Sequence, residues 1–292
     1  MKKLLNISDL SKEDFFSILN FSNSIIPFEE KCLKNKNIGL IFEKNSTRTR
    51  LSFQVGINQL NGQYIDIKLE ELNLQRIESF EDTFEIMSCY LDALVFRTTD
   101  HKKLDLAQIC FKKPIINALS DISHPCQAIS DIFTLREHFQ REDNFHIAWF
   151  GDLNNVLFSL LESMKFLPFS KVDIFTDKKI YENSYQNFLK LDNISYHFEL
   201  DDKILKSVDC IMTDVFNSMN DTEDKEKVLK KYKVNEELMK KTSDSAVFMH
   251  CLPAKIGSEV SHDVLKGSKS IVLKQAKNRM VAQRGIMKWL EL

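Results

Sequence analysis

Two arginines close together are the first residues in this sequence whose types and spacing suggest chemistry. Only eight of the 40 basic residues are arginine, yet Arg48 and Arg50 both lie in the stretch 46–50, STRTR, directly after the apolar run 38–42. Backbone N–H groups at the start of a helix bind anions, and a guanidinium group adds a bidentate clamp for phosphate. No GxxxxGK(S/T) nucleotide loop is present. The stretch predicts a phosphate site rather than a nucleotide site, although an ordinary helix cap with solvated arginines explains the spacing equally well.

A second candidate is the motif His124-Pro125-Cys126-Gln127, with Asp131 four residues after Gln127. Proline suits the first turn of a helix, so Pro125 places His124 at the helix entrance and Gln127 on the next turn. A histidine and an amide can together hydrogen-bond one small planar group, such as a carbonyl with an amino substituent. Because a lone histidine at a helix start is more often structural, this motif needs partners elsewhere in the chain to indicate function.

The third candidate is a polar loop after an apolar run in the second half of the chain. Asp214 leaves the run 208–212 and leads through Ser218 and Met219 into the acidic stretch 220–224. A long loop at the carboxyl end of a strand is a candidate lid over a ligand. A solvated acidic loop is the simpler interpretation.

The fourth candidate is His250-Cys251-Leu252-Pro253, at the end of another apolar run. Adjacent residues of a strand point to opposite faces, so His250 cannot act as the base for Cys251. A cysteine hydrolase would instead require Cys251 to meet His124. A cysteine hydrolase that uses Cys251 and His124 is therefore the alternative hypothesis to test.

The elements that must position these residues alternate between strands and helices. The predicted strands, each a short apolar or β-branched run, are 38–42, 63–67, 92–96, 114–117, 145–150, 171–175, 208–212 and 246–250. The predicted helices are near 47–60, 79–90, 102–111, 125–140, 154–166, 180–190, 234–241 and 276–290. Strand followed by helix, repeated, indicates parallel sheets covered on both faces, and 141–144 is a polar break. We predict two open parallel-sheet α/β domains, 1–137 and 138–275, with the C-terminal helix 276–292 packing back on the first domain.

Ligands of open α/β sheets bind at the carboxyl ends of the strands. The polar or reactive residues that follow predicted strands are Arg48, Thr49, Arg50, Arg97 and His124 in the first domain and Asp152, Asn154, Asn155, Asp214 and Cys251 in the second. This convergence predicts an active site in the interdomain cleft. In helix 47–60, Leu51 and Val55 are one turn apart and are expected on its buried face.

Composition narrows the class of protein. The apolar fraction of 43%, the charged fraction of 28% and the formal charge of −2 are typical of a soluble globular protein and disfavour general nucleic-acid binding. No stretch approaches the length of a membrane span, and the N-terminus is too polar for a signal peptide. A cytoplasmic location is therefore expected. The six cysteines have no CxxC spacing, which predicts reduced thiols rather than disulfides or a zinc site.

Together and in this order, STRTR, Arg97 after a strand, HPCQ, the DxxxSM loop that begins at Asp214, and HCLP resemble the aspartate/ornithine carbamoyltransferase family. HCLP and DxxxSM are similar to its ornithine branch, whereas the aspartate enzymes typically have HPLP. The resemblance covers essentially the whole chain, including Arg279 before the last helix. It implies transfer of the carbamoyl group of carbamoyl phosphate to the δ-amine of L-ornithine, giving L-citrulline and phosphate in arginine biosynthesis.

The roles of the family carry over to the residues that match its motifs. The residues implied to bind carbamoyl phosphate are Ser46, Thr47, Arg48, Thr49, Arg97, His124, Gln127, Cys251, Leu252 and Arg279. The residues implied to bind ornithine are Asn155, Asp214, Ser218 and Met219. Catalytic roles are implied for Arg97, His124 and Cys251, the last as a group that orients ligands rather than as a nucleophile. Arg50 is expected to brace the STRTR turn through an ion pair.

The resemblance also implies a homotrimer, or a multiple of one, with shared active sites, and no metal or organic cofactor. Two loops depart from the family pattern: the loop 73–77 lacks the usual glycines, and Asn220-Asp221 stands where the family usually has a glycine. The open alternatives are a carbamoyltransferase for another acceptor (putrescine, an acylated ornithine or aspartate), a cysteine hydrolase, and a non-catalytic anion-binding relative.

Overall fold

The computed structural model describes residues 2–24, 31–72, 78–184, 191–217 and 224–292. The described strands are β1 (Lys3–Leu4), β2 (Asn37–Phe42), β3 (Gln63–Ile67), β4 (Ala93–Arg97), β5 (Ile115–Leu119), β6 (His146–Phe150), β7 (Lys171–Phe175), β8 (Ile194–His197), β9 (Cys210–Thr213) and β10 (Val247–His250). The described α-helices are α1 (Lys12–Ser24), α2 (Thr47–Gln59), α3 (Phe80–Tyr90), α4 (His101–Cys110), α5 (Pro125–Phe139), α6 (Asn155–Ser163), α7 (Lys178–Ser184), α8 (Asp202–Leu205), α9 (Glu226–Leu229), α10 (Glu236–Lys240), α11 (His262–Lys266) and α12 (Val272–Leu290).

The chain forms two compact units. Unit 1 is Met1–Phe133 with Asn278–Leu292, and unit 2 is Thr134–Lys277. The described strands form one five-stranded parallel sheet in each unit, in the order β1-β5-β4-β2-β3 in unit 1 and β10-β9-β6-β7-β8 in unit 2. The predicted class, two parallel-sheet α/β domains, is confirmed.

Each sheet has a point where the chain changes direction across it. In unit 1 the chain passes from β2 to β3 on one side and returns to β4 on the other; in unit 2 it runs through β6, β7 and β8 and returns to β9 beside β6. Loops that follow two adjacent strands diverge at such a point and leave a ligand crevice. The ends of these strands are in register, with Phe42 opposite Arg97 and Phe150 opposite Thr213. In each unit, therefore, two of the candidate loops start side by side.

Six of the described elements were not predicted, namely strands β1 and β8, helix α1, and the short helices α8, α9 and α11. Strand β1 is only two residues long, too short to show a pattern. Strand β8 has half-exposed residues after Ile194 instead of an apolar run, and α1 was not recognised at all. Predicted helix 180–190 begins at Lys178, and its residues 185–190 lie outside the described residues.

Helix α2 buries a different face from the one predicted. Leu51 and Val55 are 53% and 42% exposed, whereas Phe53 and Ile57 are buried in the core of unit 1. The buried stripe repeats every four residues from Thr49, which is itself buried. The prediction for Leu51 and Val55 is wrong, and the outer face of this helix carries two exposed apolar side chains.

The C-terminal helix α12 packs on unit 1, as predicted. Gly285 lies so close to α1 that a Cβ atom there would be 2.6 Å from the carbonyl oxygen of Ile18. The indole Nε1 of Trp289 donates to Asp14 Oδ1 at 2.6 Å. None of the described helices has the length and apolar content needed to cross a membrane, and all six cysteines, which are within the described residues, are free thiols.

Candidate functional site

The loops after β2 and β4 are joined through Ser46 and Arg97. Ser46 has the extended backbone of a helix cap (φ −148°, ψ 105°), but its hydroxyl makes no capping bond to α2. Instead, the hydroxyl oxygen accepts a hydrogen bond from Arg97 Nη1 at 3.2 Å. The side chain of Ser46 thus does not cap α2 and instead holds the Arg97 guanidinium. An N-terminus of this kind, flanked by arginine, suits an anion.

The two arginines of STRTR have different environments. Arg50 makes a bidentate ion pair with Asp66 of β3, from Nε to Oδ1 at 3.1 Å and from Nη2 to Oδ2 at 3.0 Å, so its predicted bracing ion pair is confirmed. Arg48 is half-buried, and its Nε atom is buried without a hydrogen-bond partner among the described residues. A buried donor that lacks a partner costs roughly 1–3 kcal/mol. Of the two, Arg48 is therefore the one suited to a ligand.

Glu43 fixes the loop that follows Arg97. Its carboxylate accepts hydrogen bonds from Thr98 Oγ1 (2.6 Å), Thr99 N (3.0 Å) and Lys103 Nζ (2.6 Å). Burial alone would raise the pKa of Glu43, but these hydrogen bonds and the Lys103 charge outweigh it and lower the pKa. The ionised carboxylate, placed directly after β2, thereby ties the β4 loop to the β2 loop.

His124 is buried beside two guanidinium groups. It is 2% exposed, and its Nε2 atom is within hydrogen-bonding distance of Arg279 Nη2. Burial and the positive charges of Arg279 and Arg97 lower the pKa of His124 well below its usual range. Arginine can only donate, so Nε2 must accept and the proton of the neutral ring resides on Nδ1. His124 is thus a neutral hydrogen-bond donor through Nδ1.

Gln127 and Cys126, from the same motif, have different surroundings. Gln127 is 1% exposed, and its Nε2 donates to Asp131 Oδ1 at 2.7 Å. Cys126 is fully buried, its thiol donates to the carbonyl of Asn117, and burial raises the pKa of that thiol to about 12. Cys126 is therefore an inert core thiol, whereas Gln127 is an oriented polar group. Pro125 begins α5, as the motif predicted.

In unit 2 a carboxylate lies between two of the candidate loops. Asp214, which is 8% exposed, accepts from Asn154 Nδ2 at 2.8 Å and from the thiol of Cys251 at 3.3 Å. Asn154 also caps α6, because its Oδ1 accepts from the N–H groups of Val156 and Leu157. One residue thus orders both the helix start and the carboxylate, and Asn155 is the first residue of that helix.

The HCLP turn is stabilised by a hydrogen bond to its own histidine, His250. Leu252 has a positive φ of 57°, and its N–H donates to His250 Nδ1 at 2.9 Å. The other ring nitrogen, Nε2, lies 3.4 Å from the buried carboxylate of Glu259. Possible ligand atoms of Asp214, His250 and Cys251 lie within 4.8 Å of one another, but His250 would have to give up one of these two contacts to bind a metal ion. His250 is better described as a support for the turn that carries Cys251.

The structure brings the predicted residues together within each unit. In unit 1, Ser46 contacts Arg97, and the positive charges of Arg97 and Arg279 lower the pKa of His124. In unit 2, Asp214 contacts Cys251. Ser218, Met219 and the loops 73–77 and 220–223 lie outside the described residues. Thr47 is exposed at the start of α2, and Leu252 is packed against the core of unit 2.

Sequence reasoning did not assign roles to four residues that orient the site, namely Glu43, Asp131, Asn154 and Glu259. Asn154 carried a usable signal, because an asparagine before an apolar helical pattern is a typical cap. Asp131 also carried one, since residues four apart share a helix face. The two glutamates act across the fold on loops distant in sequence, and no local pattern indicates such contacts.

Comparisons with known proteins agree with this arrangement. Residues 2–137 match the family model "Aspartate/ornithine carbamoyltransferase, carbamoyl-P binding domain", and residues 143–290 match "Aspartate/ornithine carbamoyltransferase, Asp/Orn binding domain". The chain is 40% identical over 267 residues to an ornithine carbamoyltransferase of Rhizobium johnstonii, covering 89% of this chain and 86% of the relative. It is 34% identical over 309 residues to one of Methanocaldococcus jannaschii, covering 98% of each.

Solved structures give the same result. The anabolic ornithine carbamoyltransferase of Campylobacter jejuni is 31% identical and superposes with a TM-score of 0.87, covering 99% of both chains. The ornithine carbamoyltransferase of Burkholderia thailandensis is 29% identical with a TM-score of 0.89, covering 100% of this chain and 99% of the other. With both family models matched and relatives similar over nearly the full length, this chain belongs to the aspartate/ornithine carbamoyltransferase family.

Proposed function

We propose that this protein is an ornithine carbamoyltransferase, which transfers the carbamoyl group of carbamoyl phosphate to the δ-amine of L-ornithine and releases L-citrulline and phosphate. One observation carries the proposal: Arg48 Nε is a buried donor without a partner among the described residues, at a helix N-terminus that Ser46 leaves uncapped. A dianionic phosphate supplies acceptors for both. Residues 1–137 with 276–292 would form the carbamoyl phosphate domain, and 138–275 the ornithine domain.

Phosphate binding falls to the start of α2. The N–H groups of its first turn and the hydroxyls of Ser46, Thr47 and Thr49 would donate hydrogen bonds to the phosphate oxygens, with Arg48 as the clamp. Arg97, held by Ser46 at 3.2 Å, would reach both the phosphate and the carbonyl oxygen. Charge-assisted hydrogen bonds from these guanidinium groups also favour departure of phosphate as an anion.

The carbamoyl group needs donors at its oxygen and an acceptor at its nitrogen. His124 is a neutral donor through Nδ1, because Arg279 occupies Nε2, and would serve the oxygen. Gln127 would serve the amino group. Attack by a neutral amine forms a tetrahedral intermediate, and Arg97, His124 and Thr49 would stabilise its oxyanion, usually the largest contribution to acyl transfer.

Unit 2 would bind the amino acid. Asp214 is a carboxylate with little exposure to water, held by Asn154, and would pair with the cationic α-ammonium group of ornithine. Asn155, Ser218 and Met219 complete the set that the family assigns to this substrate, with Cys251 and Leu252 at the junction of the two substrates. Holding both reactants in position would account for up to roughly 7–11 kcal/mol of the barrier.

The test is product formation from carbamoyl phosphate with ornithine, putrescine, N-acetylornithine and aspartate in parallel reactions. Citrulline from ornithine, with at most trace products from the other three, is the expected outcome. Strong activity with another amine would keep the carbamoyl phosphate site but reject ornithine as the acceptor. No product with any of the four would reject the proposal.

Cys251→Ser separates transfer from cysteine hydrolysis. The thiol donates to Asp214, and a serine hydroxyl can make the same bond, so a ligand-orienting role predicts that the variant keeps a substantial part of the wild-type rate. A nucleophilic thiol predicts near-total loss of activity and a covalent adduct with substrate. Mass spectrometry of enzyme quenched during turnover reports the adduct directly.

We further propose a homotrimer, or a multiple of one, in the cytoplasm, acting in arginine biosynthesis. Exposed apolar side chains of unit 1 support an interface there: Leu51 and Val55, one turn apart on α2, are 53% and 42% exposed. Patches of this kind mark contact sites. Sedimentation should give three times the 34.1 kDa chain mass, or a multiple of it, and Leu51→Glu with Val55→Glu should shift the protein toward monomer.

A further inference from the structure

Asp131 controls which end of the Gln127 amide faces away from it. The two residues lie four apart on α5, and their exposures are 0% and 1%. Gln127 Nε2 is 2.7 Å from Asp131 Oδ1. The carboxyl oxygen accepts this hydrogen bond, so the amino end of the Gln127 amide faces Asp131. The carbonyl end, Oε1, is consequently turned the other way.

That carbonyl oxygen is an acceptor without a donor. Gln127 Oε1 is buried, and no hydrogen-bond partner for it exists among the described residues. A buried acceptor without a partner destabilises the folded protein. An amide that could rotate would reduce this cost, because its oxygen would not remain in the unpaired position. The bond to Asp131 prevents that rotation. An acceptor held in this way suits a ligand with an N–H group.

We propose that Asp131 is a positioning residue that sets the specificity for the amino group of carbamoyl phosphate. By fixing the Gln127 amide, it presents Oε1 as an acceptor to the carbamoyl –NH2 and disfavours acyl phosphates in which a methyl group replaces –NH2. The inference rests on the proposed function, because it assumes that this site binds carbamoyl phosphate. It adds a residue that acts through Gln127 and does not touch the substrate.

The experiment measures the dissociation constants of carbamoyl phosphate and acetyl phosphate by calorimetric titration of the full chain. Acetyl phosphate keeps the phosphate and the carbonyl but has a methyl group in place of the amino group. The wild-type protein should prefer carbamoyl phosphate by at least about tenfold, because a site built to hydrogen-bond a group rejects the analogue that lacks it. Asp131→Leu, which has the same branching and the same number of side-chain heavy atoms but no acceptor, should reduce this preference to within about threefold.

Asp131→Asn is the conservative control. Its side-chain oxygen can still accept from Gln127 Nε2, so Asp131→Asn should keep most of the wild-type preference for carbamoyl phosphate. A merely structural role for Asp131 would not predict this. Should the leucine variant fail to fold, Asp131→Ala carries the same expectation as Asp131→Leu. Gln127→Leu with and without Asp131→Leu should show equal preferences, since Asp131 is proposed to set this preference through Gln127.

The outcomes separate the inference from the function on which it rests. A wild-type protein that binds neither phosphate rejects the proposed function itself. A wild-type protein that binds carbamoyl phosphate selectively, with selectivity retained in Asp131→Leu or Asp131→Ala, leaves the function intact and overturns the role of Asp131. Equal affinity of the wild-type protein for the two phosphates also overturns it.

Discussion

Replacing either arginine of STRTR by methionine should have very different effects, although the residues are two positions apart on one helix. Arg48 is half-buried, with a buried Nε that lacks a partner among the described residues, and Arg50 is engaged bidentately by Asp66. Methionine keeps much of the length of the aliphatic stem and the helix propensity but removes the guanidinium. Arg48→Met and Arg50→Met are therefore a matched pair that differs in the partner of the charge.

The magnitudes follow from those environments. Hydrogen bonds to charged groups contribute about 1.5–3 kcal/mol. Loss of the Arg48 clamp should therefore reduce the binding free energy of carbamoyl phosphate by about 3 kcal/mol, which raises its dissociation constant roughly 150-fold. Arg50 would act on the phosphate only through water, where a unit charge at roughly 8 Å from a dianion contributes about 1 kcal/mol. Arg50→Met should therefore weaken binding by about fivefold at most.

Calorimetric titration of carbamoyl phosphate measures both constants, and thermal unfolding reports whether each variant remains folded. We expect Arg48→Met to keep the wild-type melting temperature or exceed it, because an unpaired buried donor is removed. Wild-type affinity in folded Arg48→Met would refute the assignment of the phosphate clamp. Equal losses in both variants would show instead that general positive charge, not the partner of each arginine, governs binding.

Three other changes have expected outcomes. Burial and the Arg279 charge lower the pKa of His124, so below about pH 6.5 the unfolded state binds a proton at this residue and the folded state does not. The free energy of unfolding should therefore decrease by up to about 1.4 kcal/mol, from this residue, for each unit by which the pH falls. In urea unfolding experiments, the free energy of unfolding of His124→Gln should depend less on pH between pH 6.5 and 5.5. Gly285→Ala should lower stability by about 1–3 kcal/mol through its clash with α1, whereas Gly56→Ala, whose Cβ would have its nearest neighbour at 3.4 Å, should be neutral or stabilising in the same melting experiment. Asp214→Asn should raise the KM for ornithine about 10- to 100-fold and leave the affinity for carbamoyl phosphate within twofold, as steady-state kinetics and titration will check.

The sequence allowed the architecture to be predicted because its signals are local. Buried parallel strands such as β2 and β6 are short apolar runs that can be recognised from their own residues, and Pro125 marks the start of a helix without reference to tertiary structure. Strand β8 was missed for the same reason. It is an edge strand with half-exposed side chains after Ile194, and pairing with β7 rather than its own pattern makes it a strand.

The candidate site was predictable in its members but not in their hydrogen-bonding states. The rule that ligands gather at strand ends selects Arg97 and Asp214 from the chain order alone. It does not distinguish Arg48 from Arg50, because that difference depends on Asp66 of β3, 16 residues beyond Arg50. Helical spacing alone also assigned Leu51 and Val55 to the wrong face of α2, because it does not show which face packs against the sheet.

The carbamoyl side of the site illustrates what only the folded protein supplies. His124 and Gln127 are both ambiguous groups, because an imidazole nitrogen and an amide end can each donate or accept. Each is paired with a neighbour that limits it: Arg279 can only donate to His124, and Asp131 Oδ1 accepts from Gln127 Nε2. Both pairs are buried, so water cannot reverse the assignment at low cost. One side chain is consequently left as a donor and the other as an acceptor before any ligand binds, which is the complement that a planar group with an oxygen and an amino nitrogen requires.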